Sequence, residues 1–446
     1  MKSGTYRVML LTVFMVLTSL SAVPALEQRD LVSYMRGKYN FEFFDRHNTD
    51  FRIGAALHFA HGKQHDVLLL DKPGQSRESD SKADREYLGY INNLPRTEPS
   101  MELFAPYTAQ TMFNVFRAID WTHMHHEQTY DIMSDASIPW NEKKQWTDRS
   151  VEYYLNNLDI PRSPAPLDVT MRRAGVMMKP YFSLFRNRYP LSNNFFFAAH
   201  WWHPVIYEGM MIGGNGAGQE KMLDEIRKVF YEKVLVNRPQ RMLLSREIMP
   251  RYSRMSPESA NIFDNLHMLH GIVYDILAYE GWTDEQKKAE VYRVVKAMSY
   301  QPGDEKLAGK FSLPRPGFDP RVYDTFTSGP DGEMSRIMRE MMDEMMPMMM
   351  SPGMDEQTSG KVREQFRMKL MPGMQEGEYD GSLSDALMKV APGMKMMPGS
   401  MEPGSTPEEM VRMMLEGWQK KYADMPDIEP LAMKSEPGLS QEGGLE

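Results

Sequence analysis

Eight of the eleven histidines stand in four widely separated pairs of one spacing: His58-x-x-His61, His123-x-x-His126, His200-x-x-His203 and His267-x-x-His270. Eleven histidines scattered over a chain of this length would give only about 0.25 such pairs. Each pair continues alike, with His65-Asp66, Tyr130-Asp131, Tyr207-Glu208 and Tyr274-Asp275 at matching distances. Neutral imidazole is the commonest metal ligand, so repeated pairs point first to metal chemistry.

On an α-helix positions i, i+3 and i+7 fall within about 60° of one another, so both histidines and the following Tyr or His65 share a face. The acid at i+8 lies about 80° around from the first histidine, where a carboxylate that orients a neighbouring ligand belongs. Four such helices facing inward stack eight imidazoles, His58, His61, His123, His126, His200, His203, His267 and His270, in two layers about 4.5 Å apart, enough for two metal ions. His65, Asp66, Asp131, Glu208 and Asp275 are then supporting residues around those ligands. Tyr130, Tyr207 and Tyr274 are the candidates for a catalytic or redox-active role, the alternative being core aromatics with bonded hydroxyls. His47 and His125 lie outside the pattern.

The chain has no cysteine, which removes disulfides, thiolate ligands and covalent c-type haem attachment. An all-nitrogen ligand set suits copper or iron, and a structural zinc site would more typically use four ligands including cysteines. Of the 42 methionines, 23 lie between Met334 and Met433, and soft thioethers favour Cu(I), so copper is expected with iron as the alternative. Paired histidines on bundled helices resemble the ligand logic of type 3 copper proteins, although the spacing here is His-x-x-His throughout. The expected function is a metalloprotein with a dinuclear copper or iron centre that performs redox or oxygen chemistry on a small substrate. The alternatives are copper storage or delivery by the histidine core and methionine tail, and a b-type haem protein with two axial histidines.

Residues 1–25 read as a secretory signal: Lys2 and Arg7 precede an apolar run that ends at Val23-Pro24-Ala25. A periplasmic or secreted location follows, and the lack of any Asn-x-Ser/Thr sequon leans toward the periplasm. The net charge of −9 with no basic block gives nucleic acid no footing. No later stretch is apolar enough for a transmembrane helix. Residues 26–312 form the expected histidine-rich domain, 313–333 a Pro/Gly-rich linker, and 334–446 a methionine-rich extension. That extension repeats Pro-Gly-Met with a period of twenty at 352, 372 and 392, and its one expected helix spans 407–423.

The fold class is mainly α: a helical bundle whose four His-x-x-His helices converge on one core, with the methionine-rich low-complexity extension appended. Apolar spacing predicts helices over 109–134, 168–188, 219–237 and 259–280, the last capped by Ser259. Thr283-x-x-Gln286 is a capping box that opens another. The segment 195–211 is ambiguous, because Pro204 directly follows His203 and proline removes a helical donor.

Overall fold

The computed structural model describes residues 41–96, 101–158, 160–175, 184–280, 282–310 and 319–323, together with residues 334, 337 and 340. The expected signal segment, most of the expected linker, the methionine repeats and the helix expected at 407–423 lie outside the described residues. Among the described residues the chain is helical without a β-strand, apart from one isolated bridge between Arg162 and Ser299.

The helices in chain order are α1 (Glu42–Arg46), α2 (Asn48–Leu70), α3 (Ser76–Asn92), α4 (Met101–Phe104), α5 (Pro106–Thr111), α6 (Phe113–Ser134), α7 (Trp140–Asn157) and α8 (Leu167–Ala174). They continue as α9 (Leu184–Arg188), α10 (Pro190–Gly213), α11 (Ala217–Val229), α12 (Ser245–Ile248), α13 (Pro250–Met255), α14 (Pro257–Leu277) and α15 (Asp284–Ala297). A π-helical turn, Phe230–Val234, extends α11.

One unit recurs four times: a short helix, a hinge residue, a long histidine helix and a following helix packed against it. The units are α1–α3, α5–α7, α9–α11 and α13–α15, and in each the histidine helix packs on its follower. The hinges are His47, Met112, Tyr189 and Ser256, each eleven positions ahead of its first histidine. All four leave the helical region alike, with φ between −139° and −123° and ψ between 45° and 83°. The helix predicted over 109–134 is therefore two helices broken at Met112, and Ser256 rather than Ser259 caps α14, its hydroxyl accepting from the Ser259 N–H. The segment 168–188 likewise holds two helices, α8 and α9, with residues 176–183 between them outside the described residues. Thr283 and Gln286 do form the reciprocal capping box of α15, at 3.3 and 2.9 Å.

The histidine helices form a ring in which α2 packs against α10 and α14, and α6 against the same two. They are buried on nearly every face; in α10 each residue from Phe195 to Met210 is buried. Burial of this kind overrides local preference. Helix α10 runs straight through Pro204 despite the missing donor, and Gly209 permits the close approach of α11, since a Cβ there would lie 2.3 Å from Ile226 Cδ1. Tyr323 and Ile337, beyond the expected boundary at 312, are buried against the body, and the Tyr323 hydroxyl donates to Asn237 O at 2.6 Å. No helix among the described residues is long and apolar enough to cross a membrane.

Candidate metal centre

The four acids that follow the histidine pairs have a structural use that the sequence did not reveal. Asp131 accepts from Phe43 N at 2.9 Å, Asp275 from Phe185 N at 2.8 Å, and Glu208 from Arg251 N at 3.0 Å. Asp66 accepts from Tyr107 N, Thr108 N and the Thr108 hydroxyl at 3.1, 2.8 and 2.7 Å. Each acid thus caps the short helix that leads into another unit's histidine helix. The exchange is reciprocal: α2 and α6 serve one another's short helices, as do α10 and α14. A carboxylate at free helical N–H groups satisfies orphan donors and meets the positive end of the helix dipole.

The tyrosines tie the ring together along two of its edges. Tyr130 donates to His203 O at 2.6 Å and Tyr207 to His126 O at 2.9 Å, a reciprocal pair between α6 and α10. Tyr274 donates to His61 O at 2.8 Å, joining α14 to α2. Each hydroxyl therefore holds the backbone of a candidate ligand. Tyr207 also lies 3.0 Å from His126 Nδ1 and hydrogen-bonds Thr129. Its proton is committed to the carbonyl, so the contact suits an Nδ1–H imidazole that donates to the phenol oxygen and leaves Nε2 free.

All eight predicted histidines meet in the middle of this ring. His58 stacks on His123 with ring centroids 3.8 Å apart, and His200 packs on His267 at 4.0 Å. The second histidines pair between adjacent helices, His61 with His270 at 5.3 Å and His126 with His203 at 5.2 Å. Further contacts are His58 with His203 at 4.6 Å, His61 with His200 at 5.9 Å and His123 with His270 at 6.3 Å. His65 enters the same cluster, 5.2 Å from His270 and 4.9 Å from Tyr274. Phe196 covers His61, His200 and His270 at one end, and Phe263 covers His126 at the other. Spacing could have flagged both phenylalanines, since each stands four residues before a first histidine.

Burial holds these imidazoles neutral. It pushes His58 down to about 4, and His65 and His267 to about 3, with the His58 ring adding to the effect at His267. Desolvation, followed by the charge of adjacent rings, puts His61, His123, His126, His200, His203 and His270 well below the usual histidine value. Neutral imidazole is the form that binds metal.

The nitrogens supply the test of fit. In His61, His65, His200, His203 and His270 neither Nδ1 nor Nε2 has a hydrogen-bond partner among the described residues. A buried polar group left unpaired costs about 1–3 kcal/mol, so native cores rarely keep such groups without a use. Two imidazoles on one ion, with metal–nitrogen bonds of about 2.0–2.1 Å, have ring centroids roughly 5–6 Å apart, and several of the pairs above have that separation. The pairs at 3.8 and 4.0 Å do not, because rings packed that closely cannot aim their in-plane lone pairs at a common point. As the rings stand, no group of three or more His, Asp or Glu side chains among the described residues is arranged to hold one ion. Coordination therefore calls for ring rotation within the helical frame. No protein-family model matches the chain, and no curated protein or solved structure matches it.

Proposed function

We propose that the chain is a metalloprotein whose four histidine helices hold two ions, copper or alternatively iron, in a redox-active centre. The observation that carries this reading is the set of five buried imidazoles with no partner for either ring nitrogen. With one ligand from each helix per ion, the members of the two closest pairs on different ions, and the His61–His270 and His126–His203 pairs kept together, the eight histidines divide into two sets. His58, His126, His203 and His267 serve the first ion; His61, His123, His200 and His270 serve the second. The close pairs His58–His123 and His200–His267 then lie between the two sets and bring the ions near one another.

When bound, copper or iron would supply one-electron chemistry in a water-poor core. The protein would contribute neutral ligands, aromatic cover and positioned backbone. The eight histidines are at most 7% exposed, which restricts traffic to ions and small molecules such as O2. Tyr207 is the tyrosine best placed to act with the centre, because its hydroxyl touches a ligand ring as well as a carbonyl. Tyr130 and Tyr274 serve as positioning residues. Ring contacts of 3.8–5.3 Å leave no slot for a porphyrin, which disfavours the haem reading.

Full-length protein purified gently from its host is expected to carry about two copper or iron ions per chain and to lack an intense Soret band. Copper well above two per chain, lost on removal of the methionine repeats, would favour storage. The metal reading is overturned if the protein neither retains nor takes up copper or iron and His126→Ala and His270→Ala behave like the parent.

A further inference from the structure

Among the four units one pair of positions departs from the pattern together: the seventh residue after the first histidine and the short-helix residue that it packs against in the other three units. Three units put Tyr at the seventh position after the first histidine, and each of these rings packs on an aromatic ring of the short helix that its neighbouring acid caps. Tyr130 packs on Phe43 at 4.5 Å, Tyr274 on Phe185 at 4.8 Å and Tyr207 on Tyr252 at 4.2 Å. Phe43, Phe185 and Tyr252 each stand fifteen positions ahead of their unit's first histidine. The fourth residue at that position is Thr108, and its partner at the tyrosine position is His65. Asp66 still caps the short helix there, so the framework is kept and only the two facing side chains have changed.

The two changes are coordinated in size and chemistry. Threonine opposite the imidazole removes the ring that holds the other three side chains in place. Histidine in place of tyrosine removes the hydroxyl that would reach the backbone of α14. The resulting imidazole is fully buried, has no hydrogen-bond partner at either nitrogen, and lies 5.2 Å from His270, the spacing of two rings on one ion. Its counterpart at the other end of the cluster is Tyr207 beside His126, also at 5.2 Å, where a phenol replaces a nitrogen ligand.

We propose that His65 is a ninth ligand, making the two ion sites unequal: a five-imidazole site of His61, His65, His123, His200 and His270, and a four-imidazole site flanked by the Tyr207 phenol. This rests on the two-ion reading above. The five-ligand site fills first, and the tyrosine-flanked site, with one fewer nitrogen, is the weaker and more open to an exogenous small molecule. Substitution of His65 should cost the five-ligand site at least the roughly 10–100-fold in affinity that even an outer-sphere partner contributes.

The test is titration of full-length metal-free protein with Co(II), whose visible absorption distinguishes four- from five-coordinate sites, alongside competition with a chelator for affinity. The parent is expected to load in two steps, the first tighter and with the weaker five-coordinate spectrum. His65→Tyr, which restores the pattern of the other units, and His65→Gln, which keeps the side chain small, should both lose that step and bind two ions alike in four-coordinate form. Circular dichroism verifies that at least one variant keeps the parental helix content. If the variants load with the parent's two steps and spectra, the role of His65 is wrong while the two-ion centre stands. If the parent itself takes up no ion, the two-ion centre fails.

Discussion

His125 on α6 is a buried histidine of a different kind from those at the middle of the helix ring, and the contrast separates the centre of the molecule from its surround. His125 is 2% exposed and bonds through both nitrogens, Nδ1 to the Ser150 hydroxyl at 3.1 Å and Nε2 to the Ser259 hydroxyl at 3.3 Å. At the centre of the helix ring, His61, His200, His203 and His270 are as deeply buried and have no such partners. Burial depresses His125 to about 3 just as it depresses His267, so the difference lies in partners and not in charge state. This fold can satisfy a buried imidazole where the imidazole is structural. Withholding partners at the centre leaves lone pairs available, at a cost in stability that a bound ion would offset.

The largest way to test that contrast is acid. A histidine buried as the neutral form has a folded pKa below its unfolded value near 6.5, so the unfolded chain binds more protons in between and stability falls as pH falls through that window. His58 at about 4 and His65 and His267 at about 3 together should cost the metal-free protein about 4 kcal/mol per pH unit below pH 6. Against a typical total of about 5–15 kcal/mol, that removes a large share of the stability by about pH 5. Urea unfolding at pH 7.5, 6 and 5 measures it. A flat profile would mean that the rings are wet or already protonated, and the contrast would collapse. Bound metal should steepen the profile, because protons then compete for the same nitrogens.

A paired substitution sharpens the comparison at neutral pH. His125→Leu removes a bonded imidazole from two serine hydroxyls and should destabilise by about 1–3 kcal/mol. His61→Leu removes two unpartnered nitrogens and fills similar space, so the metal-free protein should lose nothing and gain up to about 2 kcal/mol. The sign reverses for metal uptake, which His125→Leu leaves intact and His61→Leu impairs. Equal stability losses in the two metal-free variants would show that the central rings are structural after all.

The parts of this design legible in the sequence were those set by spacing within one helix. Four helices with histidines on one face, and the capping box at Thr283, need only the 3.6-residue period and a local hydrogen bond. The hinges escaped, because His47, Met112, Tyr189 and Ser256 share a backbone conformation and no side-chain chemistry. Pro204 spoke against a helix that tertiary burial keeps intact. The acids were legible as a repeated position, whereas their partners are backbone N–H groups 41 to 90 residues away, in helices too short to announce themselves. His65 read as a supporting residue because only the comparison of the four folded units shows that Thr108 stands where the others place the aromatic ring that packs on the tyrosine.

The capping acids offer a middle-sized effect on the surround alone. Asp131→Ala and Asp66→Ala each strip a short helix of its carboxylate, and losing such a cap costs about 0.5–2 kcal/mol, with Asp66 at the upper end because it accepts three bonds. Thermal or urea unfolding of the metal-free variants measures this. A change below about 0.3 kcal/mol in both would mean that the reciprocal capping does not hold the ring together.

The smallest effect falls on the tyrosine hydroxyls, where surround and centre touch. Removing one buried hydrogen bond to a carbonyl costs about 1 kcal/mol, so Tyr130→Phe, Tyr207→Phe and Tyr274→Phe should be similar in stability. They should differ in the absorption spectrum of the metal-loaded protein. Only the Tyr207 hydroxyl also meets a ligand ring, at His126 Nδ1, so only Tyr207→Phe releases that nitrogen from its partner and should shift the spectrum. Identical spectra for all three variants would assign Tyr207 to the surround with the other two. A shift in Tyr130→Phe or Tyr274→Phe of the same size would show that carbonyl anchoring, rather than contact with a ligand ring, is what tunes the centre.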